Sequence, residues 1–416
     1  LWIFTEDLIK NNKIKNMKNL KVFGAEIIDE KCITQIKNCF SENDLAVLTA
    51  DAHYGYGHPI GGAIAYKDKV SLSGVGFDIA CGNKAVRTDI LADDINVAKV
   101  MDELFKRISF GVGRHNDEPV DHEVFAKIAN ADFLPQRKLL QLAKNQLGTV
   151  GSGNHYVDLF RGSDGYLWIG NHFGSRGFGH KTAMGFIALS QGLGFEDKAN
   201  EGGMDKLPIL FDTNTELGQS YLSAMHLAGE YAYAGISKVL EILDNPKVTF
   251  EVHNHHNFAW KENHFGNDYW VVRKGCTPAF PNQLGFIGAN MLDTSVIIEG
   301  VDTELAKETL YSTVHGAGRV MSRTEASGKT KWIKDENGRK RPTVIAKGKV
   351  DFDLVKENMK NHKIELRGAG ADESPECYKK LNEVLGYMGD TIKVIHELEP
   401  IGVAMAGNET FDPYKD

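Results

Sequence analysis

Histidine beside glycine, at the ends of short β-branched runs, constrains the fold of this chain more than any other feature. Glycine makes up 43 of 416 residues, and many of the 15 histidines sit inside the glycine-rich stretches. That glycine share is about 10%, against a usual figure of about 7%. Glycine lets a backbone approach a ligand closely, and strand-end loops are where reactive side chains collect. Several imidazoles are therefore expected at the ends of strands.

The pattern predicts strands over 45–50, 62–66, 84–89, 155–160, 167–171, 247–252, 269–273 and 295–299. Helices are predicted over 97–108, 136–147, 218–243 and 376–397, the third rich in small residues and suited to burial. The order is irregular and repeats no βαβ unit, which points to an α+β fold. No Pro/Ser-rich linker divides the chain. A single catalytic domain over 17–407 is expected, preceded by a leader (1–16) and followed by a polar tail (408–416). The stretch 327–342 carries six Lys/Arg against two acids, and reads as a solvated hairpin or a phosphate-contacting surface.

Composition excludes several classes. Apolar residues are 42% and charged residues 25%, ordinary for a folded globular chain. There is no apolar run long enough for a membrane span. A net charge of −8 disfavours a strongly basic nucleic-acid binder, although a local basic patch survives the average. Five scattered cysteines, none in a CxxC pair, argue against a disulfide framework or zinc ribbon and for a reducing, cytoplasmic setting.

Five clusters carry the chemistry. Asp78 and Cys81, three apart in GVGFDIACG, can point at one centre, and carboxylate plus thiolate is a mixed ligand set for a divalent metal that the cysteine can bridge. Asn154 and His155 in GSGNHYVD open a strand, with Asp158 three residues on. His172 ends a strand before Gly-Ser-Arg-Gly, where Arg176 is a phosphate fork in waiting. His253, His255 and His256 end another strand. Neighbours 255 and 256 cannot both face one metal, because strand side chains alternate. His315 precedes Gly-Ala-Gly-Arg, whose amides can hold phosphate, and reads as a ligand, a general base or a nucleophile. Each cluster alone is compatible with core packing. Together they describe a two-metal site with one metal-free reactive histidine, a usual arrangement for phosphoryl transfer. There is no GxxxxGK[ST], HExxH, Lys-x-Asp-Gly or Gly-x-Ser-x-Gly motif.

The motifs DAHYGYGHPIGG (51–62), GVGFDIACG (74–82), GSGNHYVD (151–158), HFGSRGFG (172–179), HHN (255–257), RKG (273–275) and HGAGRVMSR (315–323) occur in this order. With them the chain resembles the RtcB family of RNA-splicing ligases from about residue 20 to Gly407. The resemblance implies a large α+β domain with a central dinuclear metal cleft, and GTP with two Mn²⁺ as cofactors. It implies RNA substrates with 3′-phosphate or 2′,3′-cyclic phosphate and 5′-hydroxyl ends, in RNA repair or tRNA splicing, with archease as an activating partner. It implies Cys81 bridging two metals, with Asp78 and His155 on one and His172 and His256 on the other. His315 becomes the nucleophile that carries GMP. Asn154, His155, Tyr156, Val157, Asp158, His256 and Asn257 surround the nucleotide, Asp158 where the family reads guanine. The turn of Ile287, Gly288, Ala289 and Asn290, with Thr294, lies against it, and Gly316, Ala317 and Gly318 hold its phosphate. Arg176, Arg319 and Arg323 supply positive charge.

Two departures touch the nucleotide. Ala406 stands before Gly407 where the family has Lys, and Ile287-Gly288-Ala289-Asn290-Met291 replaces Pro-Gly-Ser-Met-Gly, with Thr294 at a usual Ser. Losing a charged contact costs about 1.5–3 kcal/mol, on the order of 10- to 150-fold in affinity. A divergent paralogue is indicated. Its alternative activities are a metal-dependent cyclic phosphoesterase and an RNA-end-binding protein that does not ligate.

Overall fold

The computed structural model describes residues 15–201, 203–334, 340–408 and 410. Strands and helices are mixed without a repeating βαβ unit, so the α+β expectation holds. One sheet has six strands in the order Lys15–Met17, Leu20–Val22, Leu45–His53, Ile60–Tyr66, Asn267–Lys274, Asn257–His264. A second has eight. Its main path runs Val248–His255, Gly82–Leu91, Tyr166–Phe173, Tyr156–Gly162, Ile392–Met405, Ser295–Gly300, Leu284–Ile287, and Glu365–Gly368 pairs parallel with the end of Ile392–Met405. The chain passes from the second sheet to the first at His256, between the end of strand 248–255 and the start of strand 257–264.

The eight strands read from the sequence are strands, to within two residues where each begins. Helix Val97–Arg107 also agrees. The predicted helix 136–147 is two short ones, Leu134–Arg137 and Leu140–Gln146. The predicted helix 218–243 is Glu216–Tyr233 and Ser237–Ile242, joined by a 3-10 turn. The helix expected over 376–397 is wrong for its second half. Helix Leu381–Met388 stops at Gly389, whose φ is 61°, and the 14-residue strand Ile392–Met405 follows. That strand pairs on both sides, with Ser295–Gly300 and Tyr156–Gly162. Pairing along two edges, with Ile392, Val394 and Ile395 to pack, overrides the helix-forming Glu397, Leu398 and Glu399. Helix Arg176–Ser190, directly after the strand bearing His172, was not anticipated.

Helices 176–190 and 216–233 cover the first sheet. There Phe178, Phe186, Tyr221, Met225 and Tyr231 pack with Ile64, Tyr66 and Val272 in the largest apolar cluster. Each such fully buried side chain contributes about 1.5–3 kcal/mol. Trp168, Phe160 and Phe286 fill a second core on one face of the eight-stranded sheet, and Val157, Leu159, Leu167 and Ile169 a third on the other. Among the described residues no helix is long and apolar enough to cross a membrane.

Residues 1–14 of the expected leader lie outside the described residues. Its last two, Lys15 and Asn16, pair with Leu20–Val22 through Met17. Of the expected tail, 409 and 411–416 lie outside. The charged stretch is a hairpin of Gly328–Lys334 and Lys340–Lys347, with 335–339 outside the described residues.

Candidate metal centre and its cavity

Four neighbouring strands of the larger sheet end together at one edge. Gly82 lies opposite His255 on one side and Phe173 on the other, and His172 lies opposite both Asn83 and Tyr156. This register places Cys81, just before Gly82, beside His172, His155, just before Tyr156, and His256, just after His255. The backbone N–H of His256 donates to Cys81 O at 2.9 Å, which fastens the sheet crossing to the cysteine turn.

The side chains converge. Cys81 Sγ lies 3.2 Å from His172 Nε2 and 3.4 Å from His155 Nε2. Beyond them, Asp78 Oδ2 is 3.1 Å from His155 Nε2, and His256 Nε2 is 3.2 Å from His172 Nε2. The five groups thus divide about the sulfur into Asp78 with His155 and His172 with His256. Among the described residues, Cys81, His155 and His172 bring their ligand atoms within 4.8 Å of one another. His172 Nε2 and His256 Nε2, 3.2 Å apart, could both turn their lone pairs to one ion, and thiolate, imidazole and carboxylate together suit a divalent transition metal. The site therefore fits the metal that the sequence implies.

The local backbone is shaped for this. At Gly174 a Cβ would come within 2.5 Å of Asp78 Oδ1 and 2.8 Å of Cys81 Cα, so only glycine lets the strand end lie against the ligand turn. Ala80, inside that turn, has φ 61°, an uncommon conformation for a residue with a side chain. Its carbonyl bonds His255 Nδ1 at 3.0 Å. The ring of His255 stacks on Tyr233 at 4.1 Å, which turns it away from the metal cluster and leaves His256 in place.

Burial, and the neighbouring histidines after it, hold His172 and His256 well below the usual imidazole range. Both are neutral, as ligands must be. Burial, and then the charge of Asp78, push the Cys81 thiol well up. A cation in the cluster reverses that. Burial alone would raise Asp78, but His155 and then Arg176 bring its carboxyl below the usual range.

His315 follows strand Ser312–Val314. Its ring centroid is 4.7 Å from that of His256. Its Nδ1 lies 2.7 Å from Asp51 Oδ2, which also accepts the His315 backbone N–H at 3.0 Å. Asp51 is completely buried and takes a third bond from Thr49 Oγ1 at 2.6 Å. Burial raises its carboxyl, and the bonds from His315 and Thr49 outweigh that and lower it. An ionised Asp51 can only accept, so the Nδ1 of His315 carries a proton and Nε2 is the ring nitrogen that Asp51 leaves unengaged.

A cavity of about 980 Å³ opens over this centre. Its wall includes Asp78, Cys81, Asn154, His155, Tyr156, Asp158, His172, His256, Asn257, Gly288, Ala289, Asn290, His315, Gly316, Ala317 and Gly318, with His180 towards its rim. Val157 and Ile287 do not reach it, because both point into apolar cores. Thr294 and Ala406 are also outside the wall, where Met405 and Val403 take part instead. Asp158 is 7% exposed and burial pushes its carboxyl well up. It accepts the Ala404 N–H at 3.4 Å.

The arginines differ from the expectation of free positive charge. Arg319 Nη1 lies 3.4 Å from both Glu373 oxygens and 3.0 Å from Tyr378 Oη, and Arg323 also pairs with Glu373 and sits 3.6 Å from Asp372. Two acids thus offset two arginines. Arg176 Nη1 sits 3.3 Å from His155 Nδ1. Lys274, also in the wall, donates to Tyr56 O at 2.8 Å and Ser73 O at 3.1 Å, and burial lowers it to about 8. Sequence reasoning singled out none of Asp51, Lys274, Glu373 and Tyr378. Asp51 and Lys274 lay within motifs already noted, but their partners are far away in sequence.

The family model described as tRNA-splicing ligase RtcB matches residues 35–406. The RNA-splicing ligase RtcB of Escherichia coli (strain K12) is 29% identical over 406 residues, covering 89% of this chain and 92% of that protein. The tRNA-splicing ligase RtcB of Archaeoglobus fulgidus is 27% identical over 471 residues, covering 91% of this chain and 92% of its own length. That of Thermococcus kodakarensis is 26% identical over 484 residues, covering 93% and 95%. With matching along nearly the whole chain and the motif residues gathered around one cavity, the protein belongs to the RtcB family.

Proposed function

We propose that this protein is a GTP- and Mn²⁺-dependent RNA ligase that joins 3′-phosphate or 2′,3′-cyclic phosphate ends to 5′-hydroxyl ends through a guanylylated His315. The observation that carries the reading is His315, held as its Nδ1–H form by buried Asp51 and facing a Cys/His/Asp cluster across the His256 ring. A protein that only binds RNA ends has no use for an oriented nucleophile.

Asp78, Cys81 and His155 would hold one Mn²⁺, and Cys81, His172 and His256 the other. Bound there, the ions neutralise phosphate charge and polarise the attacking oxygen. Asn154, Tyr156 and Asn257 line the nucleotide space. Asp158, buried with one long hydrogen bond, is short of donors, and the N1–H and N2–H₂ edge of guanine supplies two. The amides of Gly316, Ala317 and Gly318 face the phosphate.

His315 Nε2 attacks the α-phosphorus of GTP. A P–N bond forms, the P–O bond to pyrophosphate breaks, and Asp51 balances the charge that develops on the imidazole. GMP then passes to an RNA 3′-phosphate oxygen, which restores His315. The 5′-hydroxyl displaces GMP and closes the phosphodiester. A cyclic end is first opened by water to the 3′-phosphate.

The test is covalent labelling of the full chain with Mn²⁺ and α-labelled GTP or ATP, with archease supplied in a parallel reaction. Acid-labile label from GTP on wild type and none on His315→Ala is the expected result. Absence of label under all of these conditions, with metal bound, would sink the ligase reading.

A further inference from the structure

His315 and Asp51 are 264 residues apart, and one residue ties the strand of Asp51 to the turn of His315. The backbone N–H of Lys379 donates to Gly318 O at 3.0 Å, in the turn that follows His315. Its side chain runs the other way. Nζ donates to Ala50 O at 2.8 Å and to Ala52 O at 3.5 Å, the carbonyls on either side of Asp51. The strand and the turn close on each other at Gly318, which has φ 77° and where a Cβ would come within 2.2 Å of Asp51 O.

Lys379 is 8% exposed and is not part of the cavity wall. It therefore has no reach to substrate. Burying an ammonium is costly unless it is paired. Burial lowers the Lys379 ammonium, and among neighbouring charges Asp51 does most to hold it up, ahead of Cys32 and Glu383. The lysine thus supplies a cation to a buried carboxylate and two hydrogen bonds to the backbone that carries it. A methionine of similar length supplies neither.

We propose that Lys379 is a positioning residue for the nucleophile: it holds the Asp51 strand and the His315 turn together, so that Asp51 keeps its bond to His315 Nδ1–H. This rests on the nucleophile role given to His315 above.

The experiment compares wild type, Lys379→Met and Lys379→Arg as full chains. In single-turnover labelling from α-labelled GTP, Lys379→Met should react about 10- to 100-fold more slowly at saturating GTP, as a small misplacement of a reacting group does. Its bound metal and its half-saturating GTP concentration should match wild type, and Lys379→Arg should recover part of the rate. A second readout does not need catalysis. In the Zn²⁺-loaded protein, ¹⁵N–¹H spectra of the His315 ring should place the proton on Nδ1 in wild type and show it redistributed in Lys379→Met. A wild-type rate in Lys379→Met, or a slow rate accompanied by loss of metal, would overturn the proposal. If wild type itself takes no label, the ligase reading falls and the ring spectrum decides alone, an unchanged His315 in Lys379→Met refuting the positioning role. Should Lys379→Met fail to fold, Lys379→Gln, which keeps a donor without the charge, carries the same comparison.

Discussion

Asp51→Asn isolates the charge behind the proposed nucleophile. An amide oxygen at the Oδ2 position still accepts from the His315 backbone and from Nδ1, which lie 3.0 and 2.7 Å from Oδ2 in the native protein. The amide NH₂ then takes the Oδ1 position, 2.6 Å from Thr49 Oγ1, whose own proton can turn to Gly61 O at 3.0 Å. The geometry survives and only the negative charge is lost. Attack through Nε2 leaves a positive imidazole beside that position, and two unit charges about 4 Å apart at an effective dielectric of about 20 interact by about 4 kcal/mol. That corresponds to about 10³ in rate. The assay is the single-turnover rate of acid-labile label from α-labelled GTP, with half-saturating GTP and metal content measured alongside. A fall of about three orders of magnitude with both controls unchanged is expected. A rate within tenfold of wild type would show that Asp51 does not act on the developing charge.

Three further outcomes follow from other parts of the molecule. Arg273 is completely buried and pairs with Glu262 at 2.6 and 3.0 Å, so Arg273→Met should cost about 3–5 kcal/mol in urea unfolding. Its effect and that of Glu262→Gln should be far from additive, and additive losses would mean that the pair is not coupled. Gly174→Ala must push Asp78 aside, so isothermal titration with Mn²⁺ should show affinity lowered at least tenfold while the far-UV circular dichroism stays native, and unaltered affinity would refute Asp78 as a ligand. His53, His58 and His255 are pushed by burial to about 3 from a usual 6.5, so the unfolded chain binds more protons than the folded one. The stability they contribute is complete above about pH 6.5 and is lost as pH falls towards 3, at about 1.4 kcal/mol per pH unit for each histidine. His58→Leu should therefore flatten the pH 4–6 slope of unfolding free energy, and an identical slope would count against a neutral buried His58.

What was legible in the sequence follows from the range of each signal. The strand ends with their histidines were visible because alternation and glycine are local. Alternation shows that one of His255 and His256 must face away, and the choice of His256 comes from the resemblance alone. The same rule places Val157 on the far side from Tyr156 and Asp158, and a nucleotide-binding segment read as continuous overlooks it. Strand 392–405 was hidden because two partner strands, not its own residues, decide its state. Asp51 and Glu373 were hidden for a related reason. A carboxylate next to an imidazole or guanidinium 50 to 264 residues away leaves no mark on spacing. Arg319 and Arg323 read as sources of positive charge because Glu373 could not be seen.

The crossing at His256 would give a bound metal a mechanical role. An ion held by His256 together with Cys81 and His172 would be a clasp at the seam between the two sheets. Part of its binding free energy would then go into the angle at which they meet, and the same ion would stabilise the fold by mass action. A shift of one sheet against the other would then change metal affinity, and removing the ion would loosen the seam beside which His315 meets the cluster.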